Sequence, residues 1–223
     1  MSLIRSRTTL DEHGNPIEGD AEAVARYDQA VDALLRFDPA VVEHATVLNE
    51  QHTDLAMGHA LVAYLHLMST ELGDVEVAKA CVQAMSATPM GPREEGHRDA
   101  ISAWVRGDWH GAAQRLDDVL VQWPSDLLAL QNGHSLDFFV GDAANLRDRP
   151  GRSLAALDPA HPHRGFVLGM QAFGLEESGH YEAAEATGMA ALATNPDDVW
   201  GLHAVVHTHE MRGNVATGIA LLR

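Results

Sequence analysis

Five glycines, Gly73, Gly107, Gly141, Gly179 and Gly213, share one register along this 223-residue chain. Steps of 34 residues join Gly73 to Gly107, Gly107 to Gly141 and Gly179 to Gly213, and four extra residues between Gly141 and Gly179 are the only interruption. Self-similarity at such a period marks a repeated supersecondary unit that buries its apolar face against its neighbours. Glycine enters the left-handed region without a steric penalty, so each of the five is expected to end the first helix of a helical hairpin.

The residues around Gly179 define the unit. Gly179-His180-Tyr181-Glu182-Ala183-Ala184-Glu185-Ala186 continues to Ala191-Leu192 and Asn195-Pro196. This run resembles the second half of a tetratricopeptide repeat: a glycine turn, an aromatic residue, small residues where two helices meet, and a closing proline. Ala112, Val119 and Pro124 take the corresponding positions two units earlier. The resemblance implies an all-α fold, a right-handed α-solenoid of tetratricopeptide-type hairpins.

Apolar spacing places the helices. Residues 1–20 are polar, carry the turn signal Gly14-Asn15-Pro16, and are expected to form an irregular arm. The repeat domain is expected to occupy residues 21–223, opening with an atypical hairpin over about 21–37 and 40–49. First and second helices then alternate over 54–72 and 75–85, 93–106 and 109–122, 126–140 and a partner broken by Arg149-Pro150-Gly151, 166–178 and 181–194, and 200–212. A last helix from Asn214 meets Arg223, and with no polar cap after Gly213 the native protein is expected to continue beyond that residue.

Composition narrows the function classes. Fifteen Lys and Arg against 32 Asp and Glu give a net charge of −17, which disfavours a phosphate-neutralising nucleic-acid partner. No apolar run is long enough to span a bilayer, and the N-terminus lacks the apolar core of a signal peptide, so no membrane role is expected. Cys81 is the single cysteine; it excludes an intrachain disulfide and a multi-cysteine zinc site, and a cytoplasmic location is expected. Cys81 falls in a second helix and is expected to be buried and inert.

A more specific resemblance rests on Met57-Gly58-His59-Ala60, Pro92-Arg93-Glu94-Glu95, Leu127-Leu128-Ala129-Leu130 with His134 and Asp137, and above all Trp200-Gly201-Leu202-His203-Ala204-Val205-Val206-His207-Thr208-His209-Glu210-Met211. Together these resemble the tetratricopeptide repeat protein 38 family. That family implies a helical repeat fold and no established reaction, and its members carry further helices, so the chain looks like an N-terminal portion.

In tetratricopeptide repeats the first helices line a concave groove. The resemblance therefore nominates Trp200, His203, His207, Glu210, Phe166, Phe138, Gln131, Trp104 and His97 as ligand-binding residues. Spacings of three and four residues independently place Trp200, His203, His207 and Glu210 on one helix face. The expected function is an interaction protein that binds a peptide, a protein segment or a small ligand. The alternative is an enzyme in which His203, His207 and Glu210 hold a divalent transition metal or perform general acid–base chemistry. No cofactor is expected in the first case. His134 and Asp137, one turn apart, are expected to pair as buried groups that satisfy each other.

Overall fold

The computed structural model describes residues 8–223. Among them are twelve α-helices, α1 (Ala21–Leu35), α2 (Ala40–Gln51), α3 (Ala56–Met68), α4 (Val75–Ala87), α5 (Pro92–Val105), α6 (Trp109–Gln122), α7 (Leu127–Val140), α8 (Ala143–Ala156), α9 (Arg164–Glu177), α10 (Tyr181–Thr194), α11 (Val199–Met211) and α12 (Val215–Leu221). The expected all-α class is correct. No helix among the described residues is long and apolar enough to cross a membrane.

The helices follow one another as hairpins because each turn both stops one helix and starts the next. Gly107, Gly141, Gly179 and Gly213 all have φ between 72° and 79°. At each, the glycine N–H and the following N–H bond back to carbonyls of the last helical turn, as in Gly107 to Trp104 and Asp108 to Ala103. At two of the four the residue after the glycine also caps the next helix with its side chain: the Asp108 carboxylate accepts from Gly111 N–H and the Asp142 carboxylate from Asn145 N–H. Gly73 departs from this expectation. It lies in a single 3-10 turn, Leu72–Asp74, while Thr70 takes the positive φ of 58° and so ends α3. In the first hairpin Phe37, with φ 55°, holds the place that glycine holds later.

Two compact units divide the chain after Gly133. In the N-terminal unit α3 packs on α4 and α5, and α5 on α6. Residues 8–18, expected to be irregular, form an antiparallel hairpin of β1 (Thr8–Leu10) and β2 (Pro16–Glu18), with Gly14 at φ 79° in its turn; residues 1–7 of the expected arm lie outside the described residues. Polar residues make this hairpin because their partners are in the helices. Asp11 and Asp126 both bind the fully buried Arg93 guanidinium, at 2.8 and 2.7 Å, and Glu94 accepts from the Glu18 N–H at 2.8 Å.

In the C-terminal unit α9 packs on α8, α10 and α11. Small residues set the separations: Ala184, Ala191, Ala172 and Ala204 are fully buried. A Cβ at Gly174 would lie 2.3 Å from the Leu146 carbonyl oxygen, so α8 and α9 touch backbone to backbone there. The break expected at Arg149-Pro150-Gly151 is absent, for α8 runs through Pro150. The bond that Pro150 cannot donate is the one to the Leu146 carbonyl, and that carbonyl faces Gly174 and the His134 ring. Arg149 is instead held by Asp137 through a two-pronged ion pair at 2.7 and 2.9 Å. The expected His134–Asp137 pair is therefore not formed.

Asp198 starts α11 and carries a pH dependence. Its carboxylate accepts from Trp200 N–H at 3.2 Å, but the residue is 1% exposed and lodged against Gly169 and Gly201. Burial pushes the carboxyl up from 3.8 to about 7, against the opposing bonds from Gly201 and Trp200 N–H. The folded state thus keeps a proton that the unfolded chain has already released, so this contribution to stability is complete below about pH 4 and is lost as pH rises through about 7. Replacing Asp198 with Asn keeps an acceptor for the cap and removes the charge. Denaturant unfolding should find the variant more stable than wild type by about 2–4 kcal/mol at pH 8, with the difference vanishing near pH 4; a difference independent of pH would refute the assignment.

Candidate functional site

The nine nominated residues are distributed over both units. His97, Trp104 and Gln131 belong to the N-terminal one, and all three are at least 96% buried. His97 lies in a relay: the Tyr64 hydroxyl meets its Nδ1 at 2.9 Å and its Nε2 meets Asp126 Oδ2 at 2.9 Å. A neutral ring with its proton on Nε2 satisfies both neighbours, accepting from the phenol and donating to the carboxylate. Burial alone would raise Asp126, but Arg93 and then His97 outweigh it and hold the carboxyl well below the usual range. Trp104 packs between Tyr64 and Trp109. These side chains are core, held by Tyr64 of α3, Trp109 of α6 and Asp126 before α7, partners that the repeat resemblance alone had left open. Gln131 borders a mainly apolar cavity of about 260 Å³ with Phe37, Val41, Tyr64, Met68 and Asn132.

The remaining six residues lie in the C-terminal unit, and five of them lie on α11 and the end of α7. Phe166 is the exception, buried and stacked on His163 with 5.8 Å between ring centres. Four of the other five are rings, and with Phe173 of α9 they form a continuous row. Phe138 meets Phe173 at 5.5 Å, Phe173 meets Trp200 at 4.7 Å and His203 edge-on at 5.2 Å, and His203 stacks on His207 at 4.5 Å. Phe173 is the buried keystone; with Leu146, Ala172 and Ala204 it forms the core on which Trp200 is seated. Beneath Trp200, the His134 ring stands perpendicular at 5.4 Å. Burial, reinforced by Arg149, pushes His134 down to about 3, so the ring is neutral and packs as an aromatic.

Phe138 and His203 are exposed, and Trp200 and His207 are half-exposed, so the row presents ring edges and faces to solvent. Burial, and after it the neighbouring His207, holds His203 below its ordinary value. The row ends at acidic groups. Glu176 is 5% exposed, with Oε2 3.6 Å from His207 Nδ1, and Glu210 Oε2 lies 3.9 Å from His207 Nε2. Burial pushes the Glu176 carboxyl up; His207 opposes this and Glu177 adds to it.

The triad of the alternative, metal-holding reading, His203, His207 and Glu210, does not converge. Stacking, with 28° between the ring planes, sets the two imidazoles side by side, and Glu210 faces His207 alone. The group that does converge is Glu176, Glu177 and His207, whose ligand atoms all lie within 4.8 Å of one another. Glu177 was not among the nominated residues, because adjacent residues on a helix point about 100° apart and the groove pattern selects only one of them.

Three further histidines and the cysteine lie away from this row. His59 Nε2 lies 2.9 Å from the Thr53 carbonyl oxygen, His66 pairs with Asp74 at 3.2 Å, and His209 is buried. Cys81 is buried, and burial pushes its thiol up to about 11, far from a reactive thiolate. No family model matches the chain, and no solved structure matches it.

Proposed function

We propose that the chain is a cytoplasmic interaction module of the tetratricopeptide-repeat type, similar to the tetratricopeptide repeat protein 38 family, and that its C-terminal unit binds a peptide or protein segment across α9 and α11. The observation that carries this reading is the exposed row of rings, Phe138, Trp200, His203 and His207, ending in Glu176, Glu177 and Glu210. Aromatic rings seated on a rigid core offer large contact area with little ordering cost, the usual make-up of a binding hot spot. The acidic end fits a lysine or arginine of the partner, and the chain's net charge of −17 favours approach of such a basic segment.

A panel of short peptides pairing Leu or Phe with Lys at varied spacing, read by fluorescence anisotropy, tests this. The tightest binder should lose at least tenfold in affinity to Trp200→Ala, about 1.4 kcal/mol or more, while circular dichroism stays unchanged. Trp200 is seated on the core and not part of its centre, so the fold should survive. Equal affinity for wild type and Trp200→Ala, or no binder in the panel, would defeat the reading.

One observation favours the second reading, an enzyme with general acid–base chemistry: a buried carboxylate with raised affinity for protons beside an imidazole is how such sites are tuned. It predicts a reaction abolished by Glu176→Gln with peptide binding intact.

A further inference from the structure

We propose that Glu176, Glu177 and His207 form a site for a divalent first-row transition ion, with Glu210 as the carboxylate that orients the His207 ring. The cluster is the acidic end of the ring row, and the inference rests on its own geometry and not on peptide binding.

Three features of the cluster point to a cation. First, Glu176 Oε2 is buried and has no hydrogen-bond partner. A carboxylate oxygen taken out of water and left without a donor is costly. His207 Nδ1 lies 3.6 Å from it, too far for a hydrogen bond. That separation is the one expected of two ligands sharing an ion: bonds of about 2.0–2.2 Å at a tetrahedral angle place a nitrogen and an oxygen roughly 3.4 Å apart.

Second, Glu177 adds another carboxylate, so two carboxylates and an imidazole converge. A divalent ion balances paired carboxylates where a single hydrogen bond would not. Both glutamates are on α9; Glu177 is exposed and has the freedom to close the remaining distance, whereas Glu176 is held by burial.

Third, the two nitrogens of His207 face different carboxylates. Nδ1 looks toward Glu176, and Nε2 toward Glu210, one turn along α11. A ligating histidine ordinarily gives its other N–H to a carboxylate, which fixes the tautomer and makes the ring a better donor to the ion. The imidazole also sets the class of ion, since nitrogen ligands favour zinc and its neighbours over magnesium and calcium.

The test is a calorimetric titration of the untagged full chain with Zn²⁺, scored as the number and affinity of equivalents bound. Fourteen histidines offer other weak sites, so the comparison between variants is the readout. Glu176→Gln and His207→Ala should each remove one equivalent. Glu210→Gln should keep it with affinity lowered about 10–100-fold, and His203→Ala should leave it unchanged. Glu176→Gln is close to isosteric and relieves a buried charge, so its fold should persist; a thermal melt with and without Zn²⁺ provides a second reading, in which the ion raises the melting temperature of wild type alone. Undiminished binding in both Glu176→Gln and His207→Ala overturns the proposal, as does loss of the equivalent in His203→Ala with Glu176→Gln unaffected.

Discussion

Arg93→Ala should unfold the N-terminal unit at far lower denaturant than wild type, with a loss of about 3–5 kcal/mol. Arg93 is 1% exposed, and its guanidinium bridges Asp11 and Asp126, whose side chains are both fully inside. It also donates to the Pro16 carbonyl at 3.2 Å and approaches the Tyr27 hydroxyl at 3.5 Å. Removing it leaves two buried carboxylates without their counter-charge and detaches the β1–β2 hairpin from α5. Lysine should recover little, since one ammonium cannot reproduce a planar fork spanning two carboxylates. Asp126→Asn should cost less than Arg93→Ala, because an amide oxygen still caps α7 through the Ala129 N–H. Urea unfolding of the three variants checks the order; Arg93→Ala within 1 kcal/mol of wild type would show that the network adds little.

Gly174→Ala should be the most damaging small substitution in the C-terminal unit, at about 3 kcal/mol. The added methyl would sit 2.3 Å from the Leu146 oxygen, 2.5 Å from Arg147 Cα and 2.6 Å from Arg147 N. All three are backbone atoms that cannot rotate aside, so α8 and α9 must separate. The gain in helix propensity, about 1 kcal/mol, is too small to offset that. Gly213→Ala provides the contrast: nothing lies within 4 Å of its Cβ position, and only the φ of 76° opposes it, at about 1–2 kcal/mol. Phe173 precedes Gly174, so the ring row should shift with α9 and peptide affinity should fall in Gly174→Ala but not in Gly213→Ala. Thermal melts and anisotropy on the two variants decide it.

The helices were legible because their signals are local. The glycine register and the apolar spacing marked turns and faces, and α6 and α10 have the limits that the spacing predicts. Gly73 misled because Thr70, three residues earlier, took up the left-handed conformation, a choice no propensity dictates. Pro150 misled for a related reason: the tertiary setting of α8 outweighs one missing hydrogen bond. At the site, the helix period was enough to bring Trp200, His203 and His207 to one face. It was not enough to show that Asp11, in a polar segment, would neutralise Arg93, that Tyr64 and Asp126 would hold His97, or that Tyr64 and Trp109 would pack on Trp104. Partnerships between residues a dozen or more positions apart, such as Asp137 being claimed by Arg149 and not by His134, have no periodic trace. Glu177 was hidden because it lies about 100° round the helix from Glu176, off the face that the three- and four-residue spacing follows.

A two-residue step such as Gly107-Asp108 leaves no slack, since its first member closes one helix and its second opens the next. One inserted residue would swing the second helix by about 100° and bury the wrong side. The joints between hairpins are under no such rule: four residues, 123–126, connect α6 to α7, whereas seven, 157–163, connect α8 to α9. In the hairpins turned at Gly107, Gly141, Gly179 and Gly213 the two helices are only two or three residues apart, and a tag or reporter spliced in at 157–163 should be tolerated where the same insertion after Gly107 would not.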